Sequence, residues 1–438
     1  MASTQPVLEE EVQSILQSIP LLLFQFRIYK LVLTGAPCSG KTTALVCLSS
    51  EDIYHNIIFF QVKLASFFRN LGWLVYTVAE AATVILGVAV KFSDLGKDQV
   101  YGFQQDLLAT MLQMERTYFR LADSFKNKTN VLIICDRGAM DPSAYCSADN
   151  WINMLDELQL NQVDLLSSRY DQVVHLVTAA IGAEEHYTLE NNEARNENLQ
   201  HAVDLDRKTR SCWIGHPNFS IIDNNVASFD EKIVCDRIGI PSQNVAEGSM
   251  KRKWLVENVD WNNFGVFEEF EIEHFYLVST DAKIQQRVRR RTQNGHSTFT
   301  LTSREYQKTS VDHTETRKNM NKEEFNTLLK MKDNARSSVF KNRRCFIHES
   351  LYFKLDVYSD PLPPKANGIP LVFLEALTSV PRGTEIAEKL MPPFLEVRNV
   401  RENCLLSKEI TGSSRNTRCT SYRNIQMRKH STPLTDCR

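Results

Sequence analysis

The stretch Gly35-Ala36-Pro37-Cys38-Ser39-Gly40-Lys41-Thr42 follows directly on the apolar run Ile28-Tyr29-Lys30-Leu31-Val32-Leu33. A G-x-x-x-x-G-K-T loop set between a strand and a helix is a cradle for polyphosphate. Its small residues let successive backbone N–H groups curl around the phosphates, and the helix N-terminus adds partial positive charge. The spacing predicts a helix over 42–48. Lys41 is expected on the β- and γ-phosphates and the Thr42 hydroxyl on Mg²⁺, with Thr43 completing the loop. The expected ligand is a nucleoside triphosphate, and the spacing alone does not choose between GTP and ATP.

At 438 residues the chain can build two or three domains, each with its own core. A net charge of −2 gives no global field that would draw nucleic acid, so no nucleic-acid partner is expected. The ten cysteines are scattered, without C-x-x-C or zinc spacing, as in reduced intracellular proteins. The apolar run Pro20–Phe26 is shorter than the roughly 20 residues a membrane-spanning helix needs. It also lacks a basic flank and a small-residue cleavage site, so neither a signal peptide nor a transmembrane helix is expected. The expected location is cytoplasmic.

Residues 28–240 alternate β-rich apolar runs (Ile28–Thr34, Trp73–Val78, Val131–Cys135, Val173–Thr178, Ser220–Ile222) with helical patterns, the clearest over Gln104–Ala122. This alternation predicts an α/β domain, a parallel sheet with helices on both faces, behind an N-terminal extension, 1–27. A linker is expected over 241–266. From 267 to 405 the runs Phe270–Val278, Gln286–Thr292, Ser297–Leu301, Arg343–Ile347, Tyr352–Tyr358 and Pro370–Leu374 alternate polar with apolar. They predict an antiparallel β-rich barrel, interrupted by one helix over Lys322–Lys332. The Ser/Thr/Arg/Asn-rich stretch 406–438 reads as a disordered tail.

An acid at the end of a central strand should complete the nucleotide site, and Val131–Asp136 supplies it. Asp136 is the expected second Mg²⁺ ligand, with Arg137 beside it on phosphate. Glu80, after the second strand, has the position of a general base for an acceptor hydroxyl, or of a helix N-terminal acid. The polar segment Glu184–His216, with Arg195, Arg207, Lys208 and Arg210, reads as a lid or as a solvated helix. Asp223-Asn224 suits a loop near a base or a turn, and Asp141 is a further candidate.

In the second half, Glu271 and Glu273 share one face of a strand, as do Arg287, Arg289 and Arg291 on the next, and Lys341 and Arg343 repeat the device. Cations lined up inside a barrel are costly unless they meet anions. Interior glutamates such as Glu273, Glu375 and Glu396 are expected to neutralise them in part or to bind a divalent cation. The pattern suits a phosphate-rich ligand held by forked guanidinium contacts.

The two halves together resemble one family. Leu33–Thr43, Val78–Ala82, Ile134–Tyr145 and His216–Asn224 are similar to the NadR-type P-loop domain of ribosylnicotinamide kinases. Glu271–Leu277, Arg287–Gly295, Lys341–Phe346, Tyr352–Asp356 and Leu374-Glu375 resemble a CYTH, or triphosphate-tunnel, domain. The pairing resembles the TRPL translocation defect protein 14 family. That resemblance implies GTP binding by the first domain, phosphoinositide binding by the second, peripheral contact with endomembranes and a role in membrane-protein trafficking. In Glu271-Ile272-Glu273-His274-Phe275 a phenylalanine stands where the tunnel enzymes' E-x-E-x-K places lysine. The expectation is a two-ligand regulatory protein. A nucleoside-type kinase using Glu80, or a triphosphatase with metal on Glu271, Glu273 and Glu375, is the alternative.

Overall fold

The computed structural model describes residues 26–41, 60–86, 94–184, 199–224, 250–279, 281–306, 313–359, 371–378 and 386–399. Thr42, Thr43, the helix expected after them, Arg195, the segment 241–249 and the tail 406–438 lie outside the described residues.

Five strands, β1 (Ile28–Thr34), β2 (Leu74–Val78), β3 (Val131–Asp136), β4 (Gln172–Leu176) and β5 (Phe219–Ile222), form a parallel sheet in the order β2-β3-β1-β4-β5. Successive side chains point to opposite faces. Leu31 and Leu33 therefore pack with Leu64 and Phe68 of the helix Phe60–Asn70. Val32 meets Leu108 and Leu112 of the helix Lys97–Asp123 on the other face. Buried on both faces, β3 carries no exposed residue. Leu33 lies opposite Asp136 in the β1–β3 register, so the phosphate loop and the strand-end acid emerge at the same edge.

The second sheet is antiparallel and nine-stranded. It comprises β6 (Met250–Val259), β7 (Phe267–Tyr276), β8 (Ile284–Gln293), β9 (His296–Tyr306), β10 (His313–Met320), β11 (Val339–His348), β12 (Leu351–Ser359), β13 (Leu371–Thr378) and β14 (Leu395–Asn399). Their order is β10-β9-β8-β7-β11-β12-β13-β6-β14. The fold class is therefore the one the alternation predicts, an α/β P-loop domain followed by an antiparallel β-rich domain. The linker expectation is corrected: Met250–Val259 is a strand hydrogen-bonded to β13 and β14.

One face of this sheet is apolar. Trp254, Phe346, Phe353, Leu355 and Leu374 pack under Phe394 and Leu395, while Val288 and Leu301 pack under Phe325 of the helix Lys322–Leu329. The other face is concave and carries the charged residues, with an apolar end at Phe270, Ile272, Cys345 and Tyr352. Strands β6 and β10 stand seven steps apart in the sheet, which would separate them by roughly 34 Å if it were flat. Lys251 on β6 nevertheless feels the charge of Glu315 on β10, so the sheet curls until these strands face each other.

The two domains share a core. Trp213, Ile214 and Phe219 of the first cluster with Phe270, Ile272, Cys345 and Tyr352 of the second. The chain makes this approach at Gly215, whose φ of +103° favours glycine. A Cβ there would lie 2.8 Å from Phe270 Cζ and 3.0 Å from Leu166 Cδ2. Gly215→Ala is expected to cost about 1–3 kcal/mol through backbone strain and displacement of Phe270. Denaturant unfolding reads the loss, and limited proteolysis should show the two domains separating first.

Candidate functional site

The phosphate loop is held by its backbone. Gly35 has φ +140°, and a Cβ on it would lie 2.2 Å from the Leu176 carbonyl oxygen, so only glycine passes between β1 and β4. Cys38 adopts φ 55°, unusual for a side-chain-bearing residue, and Gly40 φ 84°. Thr178 Oγ1 donates to the Pro37 carbonyl at 2.6 Å, and Ala179 N donates to that of Cys38 at 3.0 Å. Ala36 is fully buried and Ser39 nearly so.

Lys41 is 6% exposed and its ammonium donates to Gly35 O at 2.5 Å, Ala36 O at 3.2 Å and Ser39 Oγ at 3.0 Å. Burial, and then the Arg137 charge, lower its pKa to about 8 against the opposing pull of Asp136, Glu80 and Asp141. A phosphate beside it would hold the proton on. Asp136 is 4% exposed at the end of β3, close enough to Lys41 to act on its charge. A buried carboxylate at the mouth of a phosphate loop fits a Mg²⁺ ligand.

Glu80 does not have the setting of a general base. Its carboxylate is in direct ion-pair contact with Arg137 Nε and accepts from Thr83 Oγ1 at 2.6 Å. Burial alone would raise its pKa, but Arg137, Thr83 and Lys41 override that and hold it at about 2. A carboxylate this stable as an anion takes up a proton poorly. The pair instead fixes Arg137, which bends into the left-handed region at φ 68° and lies over the Tyr145 ring.

Asp141, a candidate by sequence, ties three segments of the first domain together. It is 1% exposed and accepts from Thr34 Oγ1 at 2.5 Å, Gly138 N at 2.7 Å and Trp213 Nε1 at 2.9 Å. Its carboxylate thus joins the end of β1, the turn after β3 and the segment that meets the second domain. The segment read as a lid is, over Leu199–Ser211, a helix whose Asp206 is buried against His175 and Thr178. Arg207 is exposed, and Arg210 donates to Glu349 O of the second domain. Asn224 Nδ2 donates at 2.7 Å to both Thr178 O and Ile181 O, making the turn rather than a base contact.

On the second sheet the register sorts the candidates. His274 pairs with Arg289, and Ile272 with Arg291, so Arg287, Arg289 and Arg291 share the concave face with His274. Glu271 and Glu273 point the other way. Glu271 is exposed, and Glu273 pairs with Arg290 at 2.6 Å on the outer face. Glu396 is exposed near a bulge in β14. The expectation of interior Glu273 and Glu396, with Glu271 on the same face as Glu273, is therefore corrected, since a one-residue phase difference moves a strand's whole set to the opposite face.

Glu375 does lie on the concave face, 2.8 Å from Lys251 and 3.8 Å from Lys253. Asp356 accepts from Lys341 at 2.6 Å and takes both arms of Arg343 at 2.6 and 2.7 Å. Glu315 pairs at 2.6 Å with both Arg304 and Arg317. Each of these carboxylates is thus spent on two cations. The donor set of a metal-dependent triphosphatase, with Glu271, Glu273 and Glu375 together, does not assemble. No cluster of three His, Cys, Asp or Glu with metal-binding geometry occurs among the described residues.

What the concave face has instead is surplus positive charge. Burial, then Arg317, Arg291, Arg343 and Arg287, pull the Arg289 pKa well below its usual value. Its side-chain contact is a long one, 3.4 Å to Thr300 Oγ1. The Nε of Arg287 has no hydrogen-bond partner. Burial lowers Lys341 and Lys354 to about 7, in each case against the pull of a carboxylate, Asp356 and Glu375 respectively. In the Lys341–Asp356–Arg343 triad the carboxylate stays ionised chiefly through Arg343, leaving Lys341 the weakly held proton. Arg291, on the same face, reaches into the first domain. It is 2% exposed, packs 3.5 Å from the centre of the Phe270 ring and donates to Gly215 O and Ser167 Oγ of the first domain.

Sequence reasoning missed Glu315, Arg304 and Arg317, and included Lys354 and Asp356 only within the stretch that resembles a tunnel domain, without a role. The signal for the latter two was present in β12, where Lys354, Asp356 and Tyr358 alternate with Phe353, Leu355 and Val357.

Comparison with known proteins agrees with the first domain: residues 30–232 match a family model described as an AAA domain. Among solved structures the chain is similar to the inorganic triphosphatase NE1496, at 19% identity over 38% of this chain and 98% of that one, with TM-score 0.26. It is also similar to a putative adenylate cyclase from Bacillus halodurans, at 16% identity over 31% and 82%, with TM-score 0.23. The PH1819 protein from Pyrococcus horikoshii OT3 is similar at 17% identity over 31% and 80%, with TM-score 0.23. No curated protein matches the chain.

The Glu80–Arg137 pair makes a pH prediction. A carboxylate lowered to about 2 contributes stability that is fully present above its unfolded value of 4.5 and is lost as pH falls toward 2. Urea unfolding across that window should show the loss in the wild type. Glu80→Gln should flatten this limb and cost about 1–3 kcal/mol at pH 7. A Gln variant of unchanged stability would contradict the pair's role.

Proposed function

We propose that the chain binds two phosphate-bearing ligands. The first is a nucleoside triphosphate with Mg²⁺ on Gly35–Thr43, and the second is a polyanion on the concave face of the antiparallel sheet. The observation that carries the second half is Arg289, set among Arg287, Arg291, Arg317 and Arg343 while the nearby carboxylates, Asp356 and Glu315, are paired with Arg343 and Arg317 and not with it. Crowded cations in a low-dielectric recess repel one another unless an anion joins them. Forked guanidinium groups suit phosphate oxygens.

In the first site Lys41 would meet the β- and γ-phosphates, and Asp136 with Thr42 would hold Mg²⁺, which neutralises phosphate charge. Arg137, fixed by Glu80, supports a further phosphate contact. Glu80 as an anion-stabilised partner of arginine supports binding over acceptor deprotonation, and so favours a regulatory protein over a nucleoside-type kinase. GTP is the nucleotide this reading prefers, and a phosphoinositide headgroup the polyanion. Such a headgroup would bring a cytoplasmic chain to an endomembrane surface, as a role in membrane-protein trafficking requires. No helix among the described residues is long and apolar enough to cross a membrane.

Calorimetric titration of the full chain tests both sites. Lys41→Ala should weaken GTP and ATP binding at least tenfold and leave inositol trisphosphate and tripolyphosphate binding on the concave face intact. Arg289→Ala and Arg343→Ala should each weaken the polyanion by about tenfold or more, from loss of a charge-assisted contact of about 1.5–3 kcal/mol. Inositol trisphosphate binding tighter than tripolyphosphate supports a headgroup, and the reverse order supports a phosphate chain. No binding of either anion would refute the second site.

The lysines add a pH dependence. With pKa values near 7, Lys341 and Lys354 lose protons above neutrality, whereas an anion-bound form would keep them. Anion binding then takes up protons, so affinity should fall as pH rises from 7 to 9, by up to about tenfold per unit for each lysine involved. A flat profile would show that neither lysine meets the ligand.

A further inference from the structure

The phosphate loop and the concave face are joined by one short segment, Trp213–Pro217, and its contacts run both ways. Toward the second domain, Lys354 Nζ donates to Pro217 O at 2.8 Å and Arg291 donates to Gly215 O. Tyr352 Oη accepts from Gly215 N and donates to His216 O, each at 3.1 Å. Toward the first domain, Trp213 Nε1 donates to Asp141, which also binds Thr34 Oγ1 and Gly138 N. Thr34 immediately precedes Gly35 of the phosphate loop.

Both ends of the segment are close-packed. A Cβ on Gly138 would lie 2.8 Å from the Trp213 ring, as one on Gly215 would from Phe270. Packed interiors shift between discrete arrangements instead of yielding smoothly, so a movement at one end must be taken up at the other.

Lys354 and Arg291 are the switchable elements. Both belong to the cation set of the concave face: Lys354 acts on Glu375, and Arg291 adds to the charge around Arg289. Both also spend hydrogen bonds on carbonyls of the nucleotide domain. A polyanion on the concave face competes for these same donors.

We propose that Trp213–Pro217 is a relay through which a polyanion on the concave face weakens nucleotide binding at the phosphate loop. An anion that draws Lys354 and Arg291 inward releases Pro217 and Gly215. The released segment loosens Trp213 from Asp141, and with it the tie that fixes Thr34 and the start of the loop. Nucleotide bound to an ordered loop holds the tie shut and disfavours the anion by the same factor, because coupling between two binding equilibria is reciprocal.

This inference rests on the two-ligand reading, and its test separates the two. The affinity of the full chain for Mg²⁺-GTP is measured by calorimetry with and without saturating inositol trisphosphate, and the converse titration is run with GTP saturating. Tripolyphosphate replaces inositol trisphosphate if it is the anion that Arg289→Ala loses. The expected result is a mutual weakening of at least about fivefold, equal in both directions, within the range usual for coupled sites.

Trp213→Phe keeps the ring packing but removes the hydrogen bond to Asp141, and should shrink the coupling toward onefold while both ligands still bind. Binding of both ligands without mutual effect, or with mutual strengthening, overturns the relay and leaves the two sites standing. Failure of either ligand to bind overturns the two-ligand reading itself. Undiminished coupling in a folded Trp213→Phe variant would show that the path through Asp141 carries nothing.

Discussion

Arg289 shares its recess with Arg287, Arg291, Arg317 and Arg343, and much of the second domain follows from making that crowd tolerable. Asp356, Glu315 and Glu375 each bridge two cations, which lowers the local repulsion but uses up the carboxylates. Thr298, Thr300 and Thr302 line β9 opposite the arginines with hydroxyls in place of apolar side chains. Hydrophobic burial is moved to the outer face, where the helix Lys322–Leu329 and the segment ending in β14 cover it. Charge held this way is costly without a ligand and becomes an asset with one.

The nucleotide domain solves a different problem, that of presenting backbone N–H groups and a lysine at one sheet edge. Here the ties are polar and local. Asp141 secures the entry to the loop, Thr178 secures its middle, and the Glu80–Arg137 pair secures the turn beyond β3. The two domains then meet through a shared apolar core around Trp213, so neither sheet edge is simply a tethered neighbour of the other.

The first domain was largely legible in the sequence because its signals are local. The loop's glycine spacing is contained in one run of eight residues, and the apolar run of β3 leads straight into Asp136, so each signal is complete within a few consecutive residues. The second was legible as a pattern but not in phase. Glu271 and Glu273 alternate correctly, yet which face they occupy is set by pairing across β7 and β8, and that register puts His274, not Glu273, opposite Arg289. Met250–Val259 escaped notice because its basic start and polar end look like a linker, and the strand exists through pairing with β13 and β14, more than a hundred residues on. Asp141 and Arg291 could not be assigned from sequence for the same reason: their partners, Trp213 and Gly215, are tertiary neighbours.

The most direct test of the polyanion site is a crystal structure of the full chain grown with inositol trisphosphate or tripolyphosphate. The account predicts phosphate density on the concave face, within hydrogen-bond distance of the Arg289 and Arg343 guanidinium groups and of Lys341. Density confined to the phosphate loop at Lys41, with the concave arginines contacting only the protein's own groups, would contradict it.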